Sequence, residues 1–510
     1  MIVPNIKKKI FYKAMILSLV FGLSQSAQAS RLISAEAMAT KGSVTAQYNL
    51  AVMYETGDGV AQDSKKALEW YQKAATQGDS SAQNNLGIMY DLGDGVEQDY
   101  VKAVQWYRSA ADQGNPSAQK NLGAMYEAGT GVEKDDAQAV RWYRKAADQN
   151  DAIAQYNLGV MNEEGRGLAQ SSIKAVEWYK KSAIQGDVLA QNNLGTMYYE
   201  GTGVPQDFDR AYSWFKQAAT QGDPSAQNNL GLMYELGLGV KQDYAKAAQW
   251  YKESADQDNA LGQGALGWAY YIGQGVEQDY DKAYQLILKS ATQGNATAQN
   301  YLGVMYEAGL SVTQDYAKAY EWYQKAAAQG EAAAQNNIGY FYESGTFLEQ
   351  DYAKAAQWYQ KAADQNHAPA QAGLGWAYAS GQGVEQNYEK ALDLLQKSVD
   401  QGDPTGQNNL GAMYLMGNGV QKNFEKGLDL LQKSAAQDYA HAQRNMGMIY
   451  YRGEDVKQDL AQAEEWFSLA CDNGDAVSCE LHEALIMTSD ATIAALEASK
   501  QAESEATFDE

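Results

Sequence analysis

Residues 82–117 read AQNNLGIMYDLGDGVEQDYVKAVQWYRSAADQGNPS, and they contain two short amphipathic segments separated by a glycine-rich turn. The apolar residues of the first segment share one side of a helix, at the spacing i, i+4, i+7 and i+8. They are Ala82, Leu86, Met89 and Tyr90. The second segment, residues 100–111, has the same helical spacing of alanine and aromatic residues. Because glycine adopts turn conformations that strain other residues, the stretch predicts a helix–turn–helix hairpin.

The same pattern recurs every 36 residues, with no insertion or deletion, through most of the 510-residue chain. Twelve copies run from residue 46 to residue 477, and a thirteenth opens at Ser478 and degenerates. Helix N-cap signals stand before both segments, as at Asp223-Pro224 and at Asp99. One hairpin cannot bury both of its apolar sides alone, whereas stacked neighbours bury them jointly. We therefore expect an all-α solenoid of twelve hairpins.

The copies share the pattern A-x-x-x-L-G-x-x-Y-x-x-G-x-G-V followed by K-A-x-x-W-Y-x-K-A-A-x-x-G. Over residues 46–477 this pattern resembles the Sel-one-like repeat (SLR), a relative of the tetratricopeptide repeat. The resemblance implies a right-handed superhelix that serves as an adaptor or scaffold for protein complexes, often in the bacterial envelope, and it implies no reaction. Seven residues depart from the pattern, and we expect them to alter local packing only. They are Asn162, Leu286, Ser311, Phe347, Leu394, Leu430 and Asp455.

The N-terminal residues have the three parts of a secretory signal peptide. Four lysines within residues 7–13 precede an apolar run at 14–23, and Ala27-Gln28-Ala29 follows. We expect residues 1–29 to be removed; the alternative is an amphipathic helix that stays attached. Residues 30–45 are expected to form a half-repeat cap, and residues 478–510 to form capping helices and an acidic tail. The mature chain should be periplasmic or secreted, with no membrane-spanning segment.

The chain is strongly acidic, with a formal charge of −24 that becomes −28 without the four lysines of the leader. Such a surface repels phosphate backbones, which argues against a nucleic-acid partner. The three histidines, His367, His441 and His482, do not cluster as metal or triad chemistry requires. The glycine-rich turns lack the flanking elements of phosphate and calcium loops. We therefore predict no catalytic residue, no cofactor and no metal site.

The two cysteines, Cys471 and Cys479, lie at the end of one predicted helix and early in the next. This arrangement permits the Cα separation of a disulfide, and an exported protein favours the bridge over two buried thiols. The pair also resembles the bridge of a cysteine-rich secreted branch of the SLR family. That branch is associated with β-lactam binding and hydrolysis, but eleven of the twelve copies here lack its cysteine pair.

Two polar rows recur on the first helices. A glutamine occupies the second position of every copy, from Gln47 to Gln443, and we interpret these amides as partners of backbone groups between repeats. An asparagine row lies two residues further on, where by analogy with tetratricopeptide stacking the first helices line a concave face. These asparagines either bind an extended peptide or a glycan, or tie neighbouring helices together. The row comprises Asn49, Asn85, Asn121, Asn157, Asn193, Asn229, Asn337, Asn409 and Asn445.

Tryptophans stand beside two interruptions of the asparagine row, which breaks at Ala265, Tyr301 and Gly373. In those two copies the second helix has exchanged its tryptophan for leucine, so one explanation is an exchange of volume within the core. The other is an aromatic patch that binds a partner, with Gly264 and Gly373 giving the partner room. The candidate aromatic residues are Trp268, Tyr270, Tyr271, Trp376 and Tyr378.

The sequence thus favours a non-catalytic scaffold that binds a protein partner, such as an envelope or cell-wall enzyme, through the first helices. One alternative is a binder of peptidoglycan-type glycan or peptide. The other is a secreted β-lactam-binding or β-lactamase-like protein. The sequence predicts neither the identity of the partner nor the oligomeric state.

Overall fold

The computed structural model describes residues 32–487, and within this range the regular structure consists of 26 helices and no strand. The expected signal peptide and the end of the acidic tail lie outside the described residues. The helices are α1 (32–40), α2 (Val44–Thr56), α3 (Ser64–Thr76), α4 (Ser80–Leu92), α5 (Tyr100–Asp112), α6 (Pro116–Ala128), α7 (Asp136–Asp148), α8 (Ala152–Glu164), α9 (Ser172–Ile184), α10 (Val188–Glu200), α11 (Phe208–Thr220), α12 (Pro224–Leu236), α13 (Tyr244–Asp256), α14 (Ala260–Ile272), α15 (Tyr280–Thr292), α16 (Ala296–Ala308), α17 (Tyr316–Ala328), α18 (Ala332–Ser344), α19 (Tyr352–Ala363), α20 (Ala368–Ser380), α21 (Tyr388–Asp400), α22 (Pro404–Met416), α23 (Phe424–Ala435), α24 (Ala440–Arg452), α25 (Leu460–Asp472) and α26 (476–487).

The helices belong to two compact units, one ending at Gln257 and the other beginning at Asp258. Within each unit every helix packs against its neighbours in the sequence, so that first helices (α2 to α24, even numbers) alternate with second helices (α3 to α25, odd numbers). The predicted all-α architecture of tandem hairpins is confirmed.

Local sequence signals set the ends of the helices. The side chain of Asp99 accepts a hydrogen bond from the backbone N–H of Lys102 at 3.0 Å. Asp223 accepts one from Ala226 at 2.7 Å, and proline follows it at the first helical position. Both residues act as the predicted N-caps. Each first helix from α2 to α24 then ends at a glycine of positive φ, for example Gly93 at 75°, where a side chain would be strained.

A second glycine sets the distance between the two helices of a hairpin. Gly87 lies in the middle of α4, and a Cβ atom built on it would lie 2.6 Å from the ring of Tyr107 on α5. Equivalent glycines in ten other repeats, from Gly123 to Gly447, meet the residue at the position of Tyr107 in the same way. The Leu-Gly pair of the repeat pattern therefore permits close packing of the two helices.

The glutamine row joins most repeats to the preceding helix, as expected. Gln83 on α4 is buried, and its Nε2 donates to the carbonyl of Ala75 at the end of α3, at 3.0 Å. Its Oε1 accepts from Gln113 at the end of α5, at 2.7 Å. Nine of the twelve row glutamines donate to such an alanine carbonyl. All twelve accept from an amide 30 residues later.

A buried tyrosine of the second helix pairs with a carboxylate of the first helix in seven repeats. Tyr179 donates to Glu163 at 2.5 Å, and Tyr323 to Glu307 at 2.6 Å. In the other five repeats the tyrosine is Phe, Ile or Leu, and the acid has become Tyr, Ala or Leu. The two positions thus change together. This agrees with the cost of burying a carboxylate that has no donor.

The ends of the array complete the pattern of its hairpins. The short helix α1 provides the carbonyl of Ala39 to Gln47 at 3.0 Å, as a second helix does in other repeats. At the other end a disulfide joins Cys471 of α25 to Cys479 of α26. Sequence reasoning had expected this bridge.

Replacement of Gln119 by leucine tests the glutamine row. The carbonyl of Ala111 and the amide of Gln149 would lose a buried partner, so we expect the free energy of unfolding to fall by about 1–3 kcal/mol. Urea unfolding followed by circular dichroism measures this loss. The matched control is Gln105→Leu at an exposed position of α5, which should leave stability nearly unchanged. Equal effects of the two substitutions would contradict the role given to the row.

Glu307 gives a pH-dependent test of the tyrosine–carboxylate pair. Burial raises the pKa of Glu307 above its ordinary value of 4.5, and the hydrogen bond from Tyr323 opposes part of that rise. Since the folded pKa exceeds the unfolded one, this group's contribution to stability is present below pH 4.5 and is lost as the pH rises through the folded pKa. We expect Glu307→Gln to raise the free energy of unfolding, relative to the unaltered chain, more at neutral pH than near pH 4. Urea unfolding at pH values from about 4 to about 8 measures this difference. The exposed acid Glu321 is the control position.

Candidate partner-binding groove

The asparagine row is half-buried along the first helices, apart from the exposed Asn49 in the first repeat. Several members donate across to the preceding first helix, as Asn229 Nδ2 does to Asn192 Oδ1 at 3.0 Å and Asn445 to Asn408 at 2.8 Å. Another, Asn85, donates to the hydroxyl of Tyr71 at 3.0 Å. These bonds tie adjacent repeats together. Each side-chain amide has two donor hydrogens and two acceptor positions, so one such bond leaves capacity for a ligand.

The aromatic residues at the two interruptions occupy different surroundings. Trp268 stacks on Tyr271 of its own helix, with ring centroids 4.9 Å apart, and on Tyr301 of α16 at 4.2 Å. Trp376 is half-buried on α20 and packs against the core of the tenth and eleventh repeats. Trp268 is also half-buried but belongs to a three-ring stack, whereas Trp376 lines an open groove.

One expectation about the glycines is wrong. Gly264 is buried, and a Cβ atom built on it would lie 3.1 Å from Ser290 Oγ of α15. It faces the neighbouring helix and gives no room to a partner. Gly373 is half-buried and lines the groove beside Trp376, where a Cβ atom would lie 3.0 Å from the ring of Tyr359.

The groove has a volume of about 660 Å³ and crosses four successive first helices, α18, α20, α22 and α24. It contains three members of the asparagine row, Asn337, Asn409 and Asn445, together with Trp376. The structure thus brings these four candidate residues into one surface. The remaining candidates, from Asn49 to Asn229 and the pair Trp268 and Tyr271, do not line it.

Sequence reasoning missed several residues of the groove. Tyr340 occupies the position of Trp376 one repeat earlier, and its side chain is 51% exposed. The residues before the row asparagines, Asn336, Asn408 and Arg444, also line the groove. A comparison of the twelve copies would have indicated Tyr340, because its position varies among Val, Ile, Ala, Thr, Leu, Met, Tyr and Trp. Such variation within a constant scaffold is typical of positions that determine specificity.

The charges of the groove are few and mostly paired. Glu343 accepts a hydrogen bond from Tyr359. Burial raises the pKa of Tyr359, and the negative charge of Glu343 raises it further. Arg444 bonds to the buried carboxylate of Asp475 at 2.8 Å. Burial and the nearby Arg444 lower the pKa of His441, so this imidazole is neutral at pH 7. The groove therefore offers neutral amides and aromatic rings more than charge.

A place where serine, histidine and aspartate meet near the last repeat has the wrong order for nucleophilic catalysis. Ser478 is fully buried and donates its hydroxyl to Asp475 at 2.5 Å, and His441 lies 3.8 Å from the same carboxylate. Activation of serine requires the imidazole next to the hydroxyl. Between residues 32 and 487 the structure has no group of three or more His, Cys, Asp and Glu side chains that would hold a metal ion. No helix in that range is long and apolar enough to cross a membrane.

Comparison with known proteins agrees with this architecture. The model of the Sel1 repeat family matches twelve consecutive segments from residue 44 to residue 475, each 36 residues long. The chain therefore belongs to the Sel1-repeat family, which is the family that the sequence pattern resembles. The matched segments begin two residues before the repeats defined above, at the start of each first helix.

Two solved structures illustrate the relationship. The chain is 39% identical to c5321, described as a protective antigen present in uropathogenic Escherichia coli strains and displaying an SLR fold. That match covers 82% of this chain and 90% of that one, with a TM-score of 0.57. A Sel1 repeat protein from Oxalobacter formigenes is 34% identical over 48% of this chain and 96% of its own, with a TM-score of 0.45. No curated protein is a significant match.

Replacement of Trp268 by alanine tests whether the three-ring stack stabilises the fold. The substitution removes two stacked contacts worth about 0.5–1.5 kcal/mol each, so we expect unfolding to require about 1–3 kcal/mol less. Thermal and urea unfolding measure the change. Tyr271→Phe keeps the stacked ring and serves as the control, with stability close to that of the unaltered chain. If the alanine variant is as stable as the unaltered chain, the stack does not stabilise the fold and Trp268 is again a candidate for partner binding.

Proposed function

We propose that the protein is a non-catalytic scaffold that holds an extended segment of a protein partner in the groove over α18, α20, α22 and α24. Sel1-repeat folds are typical of protein-interaction scaffolds. The observation that carries the proposal is the run of amide side chains, Asn337, Asn409 and Asn445, beside the rings of Tyr340 and Trp376. Amides recognise the regularly spaced N–H and C=O groups of an extended chain, and aromatic residues are common anchors of protein contacts.

We further propose that the protein acts outside the cytoplasm, in the periplasm or after secretion. The signal-like sequence of residues 1–29 supports this location. So does the Cys471–Cys479 disulfide, since such bridges persist in oxidising compartments. A binder of cell-wall glycan is the second candidate, because Tyr340 is exposed in the groove and an aromatic ring also stacks on sugars.

A photo-crosslinking residue at position 376 tests both proposals. We expect it to join the chain to a protein partner in cells that express it, and mass spectrometry of the product identifies the partner and its compartment. The matched control carries the same residue at Trp358, which lies on the second helix α19 outside the groove. Equal crosslinking from both positions, or a product containing only glycan, would contradict a protein partner in the groove.

The affinity for the identified partner then gives the energetic contribution of the groove. Trp376→Ala should weaken binding by about 30-fold, which corresponds to the roughly 2 kcal/mol of an aromatic hot spot. Trp358→Ala should leave the affinity unchanged. Circular dichroism of both variants separates a loss of binding from a loss of fold.

A further inference from the structure

A second cavity, of about 320 Å³, lies between the eleventh and twelfth repeats. Seven of its twelve lining residues are apolar, among them Leu415 of α22, Leu431 of α23 and Ile449 of α24, and the other five are polar or charged. Leu415 and Leu431 occupy the two positions that hold the carboxylate and the tyrosine in seven other repeats. The leucine at the tyrosine position is smaller than the ring it replaces, and this side of the cavity is apolar where those repeats have a polar pair.

Two further substitutions belong to the same repeat. Leu430 replaces the usual tryptophan, and Gly427 replaces the alanine found in the other copies. A Cβ atom at Gly427 would lie 2.7 Å from Leu415 Cγ, so this glycine provides the space that Leu415 occupies. With these four residues, the contact between the two helices of the eleventh repeat is aliphatic, whereas in the seven other repeats it contains a tyrosine ring and a carboxylate.

The cavity adjoins the groove. Ala412, Met416 and Asn445 line both spaces, so a chain lying along the groove passes the mouth of the cavity. Two methionines stand at this junction: Met416 is 56% exposed, and Met448 is half-buried. Methionine side chains adapt to apolar groups of different shape.

The charges at the rim do not select a charged ligand. Lys422 and Asp455 form an ion pair at 3.1 Å, and Arg452 and Glu454 add one charge of each sign. The volume is near the lower limit of about 300 Å³ for ligand pockets, which suits one side chain better than a whole molecule. The chemistry of the interior therefore favours a neutral aliphatic or aromatic group.

We propose that the cavity binds a single large apolar side chain of the peptide segment that lies in the groove, and so anchors that segment at the eleventh repeat. This inference rests on the proposed function of the groove. It specifies the ligand as a peptide with a leucine-, methionine- or phenylalanine-like anchor. A sugar has no group that matches an interior of leucine and isoleucine.

The test uses a random dodecapeptide library displayed on phage and selected against the mature protein. We expect the selected peptides to share one large apolar residue. In fluorescence anisotropy with the synthetic peptides, replacement of that residue by alanine should weaken binding at least tenfold. Selection of no peptide, or of peptides without an apolar anchor, would overturn the proposal.

The double variant Leu415→Glu with Leu431→Tyr tests whether the apolar anchor of the peptide binds in this cavity. It restores the carboxylate–tyrosine pair of the seven other repeats, so we expect the fold to be kept, the cavity to be filled and peptide affinity to fall at least tenfold. The matched control is Ala379→Glu with Leu395→Tyr, the same restoration one repeat earlier and outside the cavity lining. Met448→Trp is a second variant that fills the cavity, and tryptophan already occupies the equivalent position at Trp376.

The outcomes separate this inference from the proposed function. Peptides whose binding requires Trp376 but is indifferent to both cavity-filling variants would refute the anchor and leave the groove as the binding site. Peptide binding that is indifferent to Trp376→Ala as well would refute both. Light scattering that shows a dimer dissociated by the double variant would assign the cavity to a second copy of the chain and overturn the peptide ligand.

Discussion

In nine of the twelve repeats a buried glutamine amide bonds to the helix before it and fixes how the repeat meets that helix. The donor of Gln83 satisfies a carbonyl eight residues earlier, and its acceptor is satisfied by an amide 30 residues later. Each unmade bond of this kind costs about 1–3 kcal/mol in the interior. Insertion of one residue within a repeat would shift one of these two spacings. The amide row therefore gives a physical reason for the period of 36 residues without insertion or deletion.

The apolar contacts are less specific than the amides. Leucine, isoleucine, phenylalanine and tyrosine all occur at the position of Tyr107, because a core accepts side chains of similar volume when their neighbours adjust. Only the polar partner must change with them, as it does at the position of Asp91. Hydrophobic burial thus supplies most of the stability, and the hydrogen bonds determine the register in which the hairpins stack.

Most of the fold could be predicted from the sequence, because its signals are local and repeated. Helix caps such as Asp99, glycine ends such as Gly93 and the role of the glutamine row all follow from one copy of the pattern. The tyrosine–carboxylate pairs were also present in the sequence. They become visible only when the two positions are compared across all copies.

The candidate groove was less predictable. It combines side chains from four repeats, and whether a half-buried residue such as Trp376 lines a groove or a core depends on the packing of its neighbours. Trp268 shows this dependence: it occupies the same repeat position as Trp376 but stacks on two neighbouring rings, because tyrosines stand at positions 271 and 301. The two tryptophans are equivalent in the repeat pattern, and the difference lies in the residues that surround them.

Among the first helices that the structure describes, the two at the ends of the groove, α18 and α24, lack a side-chain N-cap. α18 begins after Glu331 and α24 after Tyr439, and neither side chain caps its helix. The side chains of Asp, Asn, Ser or His cap the other ten first helices, including α20 and α22 within the groove. A missing cap costs about 1 kcal/mol. In an array whose other features are nearly uniform, such a departure at both ends of one groove is expected where residues are retained for contact with a partner and not for helix stability.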